Sequence, residues 1–275
     1  MKIALSEIST IGATFAEDVA AYSAAGFDGI GIWELKLPAG DDEASARLVR
    51  ESGLGVATCV PQIPSILQLA LPGMEGPEDP EERIEALCTS MARLAPFEPA
   101  AVMCLTGPAG DRSLDEARAI AREGLGRIAA AARAAGVRLA LEPTHRSESD
   151  ETSFLSSIGE AVDLLDEAGL PDVGILVDTV HVWDTPALGD EVAQHGARVL
   201  GLHVADKTAP GAPGRVLPGE GATHPERVVA LLRAAGFDGF LDTEIFSTPE
   251  AFWGLPVDEA ARRAAAAARW LSTQS

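Results

Sequence analysis

Four ligand-type side chains stand at the ends of four successive apolar segments in the second half of the sequence. The segments LALE, ILVD, LGLH and LDTE end in Glu142, Asp178, His203 and Glu244. If these segments are neighbouring parallel strands of a barrel, their last residues meet above its axis. The converging carboxylates would repel one another at neutral pH unless a cation held them together. A single Asp or Glu at a strand end is most often a helix cap, but capping alone does not explain four in succession.

Oxygen-rich ligation with one imidazole nitrogen suits a divalent metal ion. We expect one such ion, with Mn²⁺ as the first choice and Co²⁺ or Mg²⁺ behind it, because ligand type alone does not fix the metal. A metal also explains why the strand-like stretch RLALEPTHRSE runs into Glu142, His145 and Glu148, since an unpaired buried carboxylate is costly. His145 either reaches the rim of the site or caps the following loop.

The elements that would position these residues follow a regular alternation. Short apolar runs rich in Val, Ile and Leu alternate with helical patterns, as in parallel strands joined by crossover helices. Eight such runs begin near Lys2, Gly29, Gly55, Ala100, Arg138, Val173, Val199 and Gly239. Eight β/α units without a break in composition predict an α/β fold, a (β/α)8 TIM barrel, as a single domain over residues 1–275. A doubly wound sheet is the alternative, although no GxGxxG motif follows the first run.

Helical patterns begin at Ser113 and His224, and glycines mark the ends of three predicted helices. Gly26, Gly136 and Gly236 each precede the next apolar run, as expected for left-handed C-caps. The turn AAGFDG occurs before both the second and the eighth run. This recurrence favours the barrel.

The charge balance excludes some classes of partner. The chain has 21 basic and 42 acidic residues, a net charge of −21, and such a field repels nucleic acid and anionic membranes. There is no stretch of eighteen apolar residues and no signal-peptide pattern, so we expect a cytoplasmic protein. Cys59, Cys88 and Cys104 match no zinc or disulfide spacing and are expected to be reduced structural cysteines.

A family resemblance rests on the segments LEPTHRSE, ILVDTVH, LHVADK, RVLPGEG and LDTEIF. In these segments, and in order over essentially the whole chain, the sequence resembles the xylose-isomerase-like superfamily of metal-dependent barrels, which includes sugar phosphate isomerases/epimerases. The ketose 3-epimerases of that superfamily hold one divalent metal with a Glu, Asp, His, Glu set. The resemblance implies that the metal ligands here are Glu142, Asp178, His203 and Glu244.

The same resemblance implies that Glu148, His181 and Arg215 grip substrate hydroxyls. The insert TAPGAPG, residues 208–214, lengthens the path from His203 to Arg215 compared with the compact epimerase pattern, so Arg215 either reaches the substrate or lies on the surface of this Pro/Gly loop. Asp206 and Lys207 follow the seventh run and either contact substrate or pair with each other. Trp33 ends the second run, where its ring would wall the pocket or simply pack.

The chemistry implied by the resemblance is proton transfer beside a carbonyl, through a metal-stabilised enediolate. Glu142 and Glu244 would be the catalytic acid and base on opposite faces of the substrate carbon, giving epimerisation or isomerisation. The same enediolate can expel a β-leaving group, so a lyase or dehydratase is the alternative. A repair endonuclease is disfavoured because it needs a histidine-rich multi-metal cluster, and a non-catalytic binding barrel is the remaining option.

The expected substrate is a neutral keto sugar, polyol or glycoside. No glycine-rich phosphate cradle or basic cluster follows the last two runs, where barrels commonly bind phosphate. The apolar segment VPQIPSILQLALPGM, residues 60–74, follows the third run on the same face as the ligands. It would wall the pocket against a bulky group or bind a partner subunit, so an oligomer is possible.

Overall fold

A closed barrel of parallel strands forms the centre of the computed structural model, which describes residues 1–274. The strands follow one another around the barrel in sequence order, and the last pairs with the first, with Ile3 opposite Leu241. They are β1 (Lys2–Ser6), β2 (Gly29–Trp33), β3 (Gly55–Val60), β4 (Ala101–Cys104), β5 (Leu139–Leu141), β6 (Gly174–Asp178), β7 (Val199–Val204) and β8 (Phe240–Thr243). The closure confirms the predicted (β/α)8 barrel and excludes the doubly wound sheet.

Helices connect successive strands and cover the outside of the barrel. They are α1 (Phe15–Ala25), α2 (Asp42–Ser52), α3 (Pro80–Leu94), α4 (Leu114–Ala135), α5 (Ile158–Glu167), α6 (Thr179–Val182), α7 (Leu188–His195), α8 (Pro225–Ala234) and α9 (Val257–Thr273). Ser113 caps α4 in a reciprocal capping box with Glu116, the arrangement that satisfies two orphan amides at a helix start. No helix within residues 1–274 is both long and apolar enough to cross a membrane.

Local sequence signals end the helices where they were expected to. Gly26 and Gly136 cap α1 and α4 with positive φ, and Gly236 takes φ +94° directly after the cap of α8. Glycine is favoured at such positions because it has no Cβ to clash in the left-handed region. Each helix therefore stops in time for the chain to turn back into the next strand.

Two apolar clusters hold the barrel together. The larger lies between the strands and the helices, and the smaller lies inside the barrel around Trp33, Met103, Ala140 and Leu176. Buried aliphatic and aromatic side chains of this kind contribute roughly 1.5–3 kcal/mol each. The interior cluster supports the floor of the face on which the strands end.

The cysteines are free thiols within this core. Cys59 and Cys104 are buried, and Cys88 is partly buried. Burial raises the pKa of Cys104 to about 12, so that thiol stays protonated and unreactive at neutral pH.

Candidate metal centre

Three side chains from neighbouring strands converge at the carboxyl end of the barrel. Glu142 directly follows β5, Asp178 ends β6 and His203 lies in β7. Each offers a ligand atom within 4.8 Å of the other two, and all three residues are buried. Glu244 directly follows β8, and its Oε2 lies 3.5 Å from Nδ1 of His203. The closed barrel thus brings together the four strand-end residues that the sequence singled out.

The unsatisfied polar atoms of this cluster fit a cation. Among residues 1–274, neither ring nitrogen of His203 has a hydrogen-bond partner, and Oδ2 of Asp178 has none beyond its ion pair with Arg215. Buried polar groups are normally hydrogen-bonded, so orphans grouped in one place indicate a missing partner. A carboxylate, carboxylate, imidazole set suits a divalent metal, and the residues present therefore fit the ion that the sequence predicts.

Arg215 lies among the carboxylates of this cluster. Its Nη1 is 2.8 Å from Oδ2 of Asp178 and 2.5 Å from Oε2 of Glu244, and its guanidinium stacks 4.9 Å from the centre of the Phe246 ring. Burial alone would lower the pKa of Arg215, but Asp178, Glu244 and Glu142 raise it above its ordinary value. One permanent positive charge therefore faces three carboxylates, which leaves the cluster short of positive charge.

The inserted loop before Arg215 does not displace it from the site. The backbone N–H of Arg215 donates to the carbonyl of Phe246 at 2.8 Å, and Val216 forms a reciprocal backbone pair with Asp206. The extra residues 208–214 instead extend over the cavity, where Gly211 through Gly214 line its wall. The longer loop changes the roof of the site and leaves the arginine in it.

The close approach of several carboxylates changes the pKa of Glu142. Its pKa is raised well above the ordinary value by burial and by the charges of Asp178 and Glu244, with Arg215 opposing them. Without a further cation the carboxyl favours its neutral form. Metal ligation requires the ionised form, so binding of a metal here would be coupled to release of a proton.

A second group of polar side chains lies beside the cluster. Nδ1 of His181, on α6, is 3.6 Å from Oε2 of Glu148, and Nζ of Lys207 is 3.3 Å from Oε1 of the same carboxylate. Burial lowers the pKa of His181 to about 3, so its imidazole is neutral. Burial would raise the pKa of Glu148, but the positive charges of Lys207 and Arg215 hold it below its ordinary value. This group presents one anion, one cation and one neutral imidazole to the cavity.

Asp206 was expected to contact substrate or to pair with the side chain of Lys207, but its contacts in the structure are different. Its carboxylate accepts hydrogen bonds from the backbone N–H groups of Lys207, Gly221 and Thr223 at 2.9, 3.1 and 2.9 Å. Its side chain does not line the cavity, and Nζ of Lys207 pairs with Glu148 instead. Asp206 therefore organises the loop after β7, because its oxygens satisfy backbone amides that would otherwise be orphaned.

The cavity above the cluster has a polar side and an apolar side. It encloses about 610 Å³ and is lined by Glu142, Glu148, His181, Lys207, Arg215 and Glu244 on the polar side. The apolar side includes Trp33, whose indole N–H donates to Oγ of Ser6 at 2.9 Å and whose ring meets Phe246 edge-on. Trp33 therefore forms part of the wall with its polar atom already satisfied.

The segment of residues 60–74 supplies most of the apolar wall, namely Val60, Pro64, Leu69, Leu71 and Met74. Arg83 on α3 is fully buried and fixes this segment, with Nε donating to the carbonyl of Ser65 and Nη1 to that of Pro77, both at 2.9 Å. Gly107, with φ +79°, allows the close approach of Leu67, whose carbonyl would lie 2.2 Å from a Cβ at that position. Hydrogen bonds and close packing therefore hold the wall segment against the barrel.

His145 takes the second of its two expected positions. It caps the short 3-10 helix Arg146–Glu148, with Nδ1 accepting from the backbone N–H of Ser147 at 3.2 Å. Its Nε2 lies 3.1 Å from Asp184, and its ring stacks on Trp183. It does not line the cavity, and its role is to hold the turn that carries Glu148.

One buried carboxylate near the cluster was not predicted from the residues that end the apolar segments. Asp242 lies in β8, two residues before Glu244, and its Oδ2 is 3.8 Å from Nε2 of His203. The alternation of side chains along a strand places residues two apart on the same face. In the segment LDTE, this two-residue period places Asp242 on the same face as Glu244 and could have identified it.

Comparisons with known proteins agree with this architecture. A family model described as xylose isomerase-like TIM barrel matches residues 19–274. The D-psicose 3-epimerase of Enterocloster bolteae is 28% identical over 137 residues, which cover 50% of this chain and 42% of that relative. The match thus spans less than half the length of that relative.

Two solved structures resemble the whole barrel. A protein from Sinorhizobium meliloti 1021 is 26% identical with a TM-score of 0.84, and the match covers 98% of each chain. The IolI protein, whose structure contains a bound zinc atom, is 19% identical with a TM-score of 0.81 and covers 100% of this chain and 99% of its own. With the family model matching nearly the full length, the chain belongs to the xylose isomerase-like TIM barrel family.

Proposed function

We propose that this protein is a divalent-metal-dependent isomerase or epimerase of a keto sugar or related polyol. The observation that carries the proposal is the convergence of Glu142, Asp178 and His203, buried and within 4.8 Å of one another, beside a cavity lined by polar side chains. The ketose epimerase among its relatives supports the class of substrate.

The residues that would hold the metal are Glu142, Asp178 and His203, with Glu244 as the fourth ligand. Mn²⁺ is the first choice and Co²⁺ or Mg²⁺ the alternatives, while the bound zinc of the IolI protein shows that a relative of this fold accepts a divalent ion. When bound, such an ion polarises a substrate carbonyl and the adjacent hydroxyl.

The proton transfers are assigned to the two glutamates of the cluster. One carboxylate removes the proton from the carbon beside the carbonyl, and the C–H electron pair becomes the double bond of an enediolate. The other returns a proton to the opposite face of the same carbon, which inverts its configuration. Return to the neighbouring carbon would instead exchange aldose and ketose.

Glu244 and Glu142 differ in a way that suits two roles. Arg215 contacts Oε2 of Glu244 at 2.5 Å, and we assign this paired carboxylate as the base. Burial and neighbouring charges raise the pKa of Glu142, so this carboxylate, ionised when it holds the metal, would take up a proton readily during the reaction and pass it to the substrate. Glu148, Lys207 and the neutral imidazole of His181 would bind substrate hydroxyl groups, because together they offer donors and acceptors along one side of the cavity.

Solvent exchange tests this proposal directly. The Mn²⁺-loaded protein is incubated in D₂O with a panel of keto sugars and keto-glycosides, and deuterium at the α-carbon is followed by NMR. We expect exchange together with a new epimer or isomer, and loss of both in Glu244→Gln and Glu142→Gln. Full exchange in a Glu142→Gln protein that retains metal would show that its assignment as an acid/base is wrong.

A metal-dependent lyase is the second candidate, and the apolar wall favours it. Leu69, Leu71 and Met74 extend the cavity beyond the polar cluster, and a volume of about 610 Å³ lies within the range of roughly 300–1,000 Å³ that holds drug-sized ligands. Such a compartment would accommodate an apolar leaving group. In the D₂O experiment, release of the aglycone from a keto-glycoside would identify elimination, and exchange without release would identify epimerisation.

A further inference from the structure

We propose that Asp242 is a positioning residue that fixes the tautomer of His203, so that Nδ1 of the imidazole is free to bind the metal. This inference rests on the proposed metal centre. It assigns a role to a buried carboxylate that is neither a ligand nor part of the cavity wall.

The two ring nitrogens of His203 face different surroundings. Nδ1 points toward the ligand cluster, 3.5 Å from Oε2 of Glu244 and 3.9 Å from Oε1 of Glu142. Nε2 points away from it, 3.8 Å from Oδ2 of Asp242. His203 and Asp242 are directly paired across β7 and β8, so the strand register itself brings the carboxylate to the back of the ring.

The carboxylate of Asp242 has no other partner. The residue is 1% exposed, and neither oxygen accepts a hydrogen bond from any of residues 1–274. A buried carboxylate without a partner is costly, and a metal-ligating histidine commonly donates its second N–H to a carboxylate of this kind. The present separation is about 1 Å longer than a charge-assisted N–H···O bond, which a small movement of the ring would close.

Space for this carboxylate is provided by a glycine on another strand. A Cβ at Gly31, on β2, would lie 2.3 Å from Oδ2 of Asp242. The φ of Gly31 is not positive, so its backbone does not require glycine. The missing side chain is what allows Asp242 to stand inside the barrel behind His203.

The consequence for ligation follows from imidazole chemistry. A neutral imidazole carries one N–H, and the hydrogen bond made by one nitrogen decides which of the two is free to bind a metal. A carboxylate behind Nε2 selects the Nε2–H form and leaves the lone pair on Nδ1, toward Glu142 and Glu244. The other tautomer would direct its N–H at the metal position.

Metal affinity and histidine NMR test this role without any enzyme assay. Zn²⁺, which is diamagnetic, is titrated by calorimetry into the metal-free wild-type protein, Asp242→Ala and Asp242→Asn. We expect Asp242→Ala to bind roughly 10- to 100-fold more weakly, and Asp242→Asn, which keeps an acceptor oxygen, to fall between it and the wild type. Glu7→Gln is the matched control, because Glu7 is another buried carboxylate with an unpartnered oxygen and does not contact His203; its affinity should equal that of the wild type.

Long-range ¹⁵N–¹H spectra of ¹⁵N-histidine-labelled protein report the tautomer itself. The His203 signals are assigned by their absence in His203→Gln. We expect the Zn²⁺-loaded wild type to show an Nε2–H form, with the N–H signal shifted upfield in Asp242→Asn as the charged partner is lost. Wild-type affinity in both Asp242 variants, or an Nδ1–H form in the loaded wild type, would overturn the inference alone. Absence of Zn²⁺ binding by the wild type would overturn both it and the proposed metal centre.

Discussion

Two buried clusters of charged side chains lie on the same face of the barrel, and they differ in how their charges are satisfied. The first, here called the β1–β2 cluster, consists of Glu7, Thr10, Asp18, Tyr22 and Lys36. Lys36 forms an ion pair with Asp18 and donates to the carbonyl of Thr10 at 2.8 Å, while Oγ1 of Thr10 donates to Asp18 at 2.7 Å. This cluster carries its own cation.

The second cluster surrounds the candidate metal position at the ends of β5 to β8. Arg215 pairs with Asp178 and Glu244, yet within residues 1–274 both nitrogens of His203 and both oxygens of Asp242 lack a hydrogen-bond partner. In the β1–β2 cluster, Oε1 of Glu7 is the only buried side-chain atom without a hydrogen-bond partner in the described part of the chain. Since buried polar groups are normally paired, the comparison supports the ends of β5 to β8 as the position of the proposed metal ion.

The largest effect that separates the clusters is expected from Asp178→Asn. The amide keeps an acceptor for the N–H of Val180, which Oδ1 caps at 3.0 Å, but it removes the negative ligand. We expect loss of at least about 1,000-fold in metal-dependent turnover, equivalent to about 4 kcal/mol, with an unchanged circular dichroism spectrum. Turnover and Mn²⁺ affinity are measured together.

Asp18→Asn is the control for that substitution, because Asp18 is an equally buried carboxylate in the other cluster. It should leave Mn²⁺ affinity within about twofold of the wild type, since a 1.4 kcal/mol change would be needed for tenfold. Equal losses of affinity in the two variants would remove the distinction between the clusters.

A change in stability is the expected result of breaking the β1–β2 cluster. Lys36→Met removes the buried cation and leaves Asp18, which is fully buried, without its partner. We expect the free energy of unfolding, measured in urea, to fall by about 3–5 kcal/mol. Mn²⁺ affinity should be unchanged, and a loss below about 1 kcal/mol would show that the pair is not a structural requirement.

Addition of metal should stabilise the folded protein through the cluster at the ends of β5 to β8 and not through the β1–β2 cluster. At a free Mn²⁺ concentration one hundred times its Kd, a ligand that binds only the folded state adds about 2.7 kcal/mol. We expect a corresponding rise in Tm for the wild type and for Lys36→Met, and none for Asp178→Asn. A rise of the same size in Asp178→Asn would place the metal elsewhere.

Much of the fold was predictable because each local signal agreed with the global one. Apolar runs near Lys2 through Gly239 became strands, and Gly26 and Gly136 ended helices as their conformational freedom allows. The four strand-end residues also came together, since closure of a parallel barrel leaves little choice about where strand ends meet.

Satisfaction of polar atoms could not be predicted in the same way. Glu7 follows β1 directly, as Glu142 follows β5, and nothing in sequence position distinguishes the two. The ion pair of Lys207 with Glu148 depends on how the loop after β7 folds back. The same holds for the hydrogen bonds that backbone N–H groups donate to Asp206. Such contacts join residues far apart in the chain, so their geometry is set by tertiary packing.

The smallest effect concerns Glu7, the least satisfied member of the β1–β2 cluster. Its Oε2 accepts the N–H of Trp33 at 3.0 Å, and burial and the charge of Asp18 raise its pKa well above the ordinary 4.5, with Lys36 opposing them. The folded state therefore holds a proton that the unfolded state has lost, and stability from this group declines as pH rises above 4.5 toward the folded-state pKa. Glu7→Gln lacks that decline, so its free energy of unfolding relative to the wild type should increase with pH, by about 1.4 kcal/mol for each unit of pKa difference.

The control for this slope is a carboxylate whose shift has the opposite sign. Hydrogen bonds from Thr14 lower the pKa of exposed Glu17, so its contribution to stability is present above 4.5 and is lost as pH falls through the folded-state pKa. Urea unfolding at intervals between about pH 5 and pH 8 should therefore show a rising difference for Glu7→Gln and none for Glu17→Gln. If the difference in free energy of unfolding between Glu7→Gln and the wild type did not change with pH, the carboxyl of Glu7 would have an ordinary pKa in the folded protein. The β1–β2 cluster would then carry an unpaired charge of its own, and orphaned atoms alone would no longer single out the metal position.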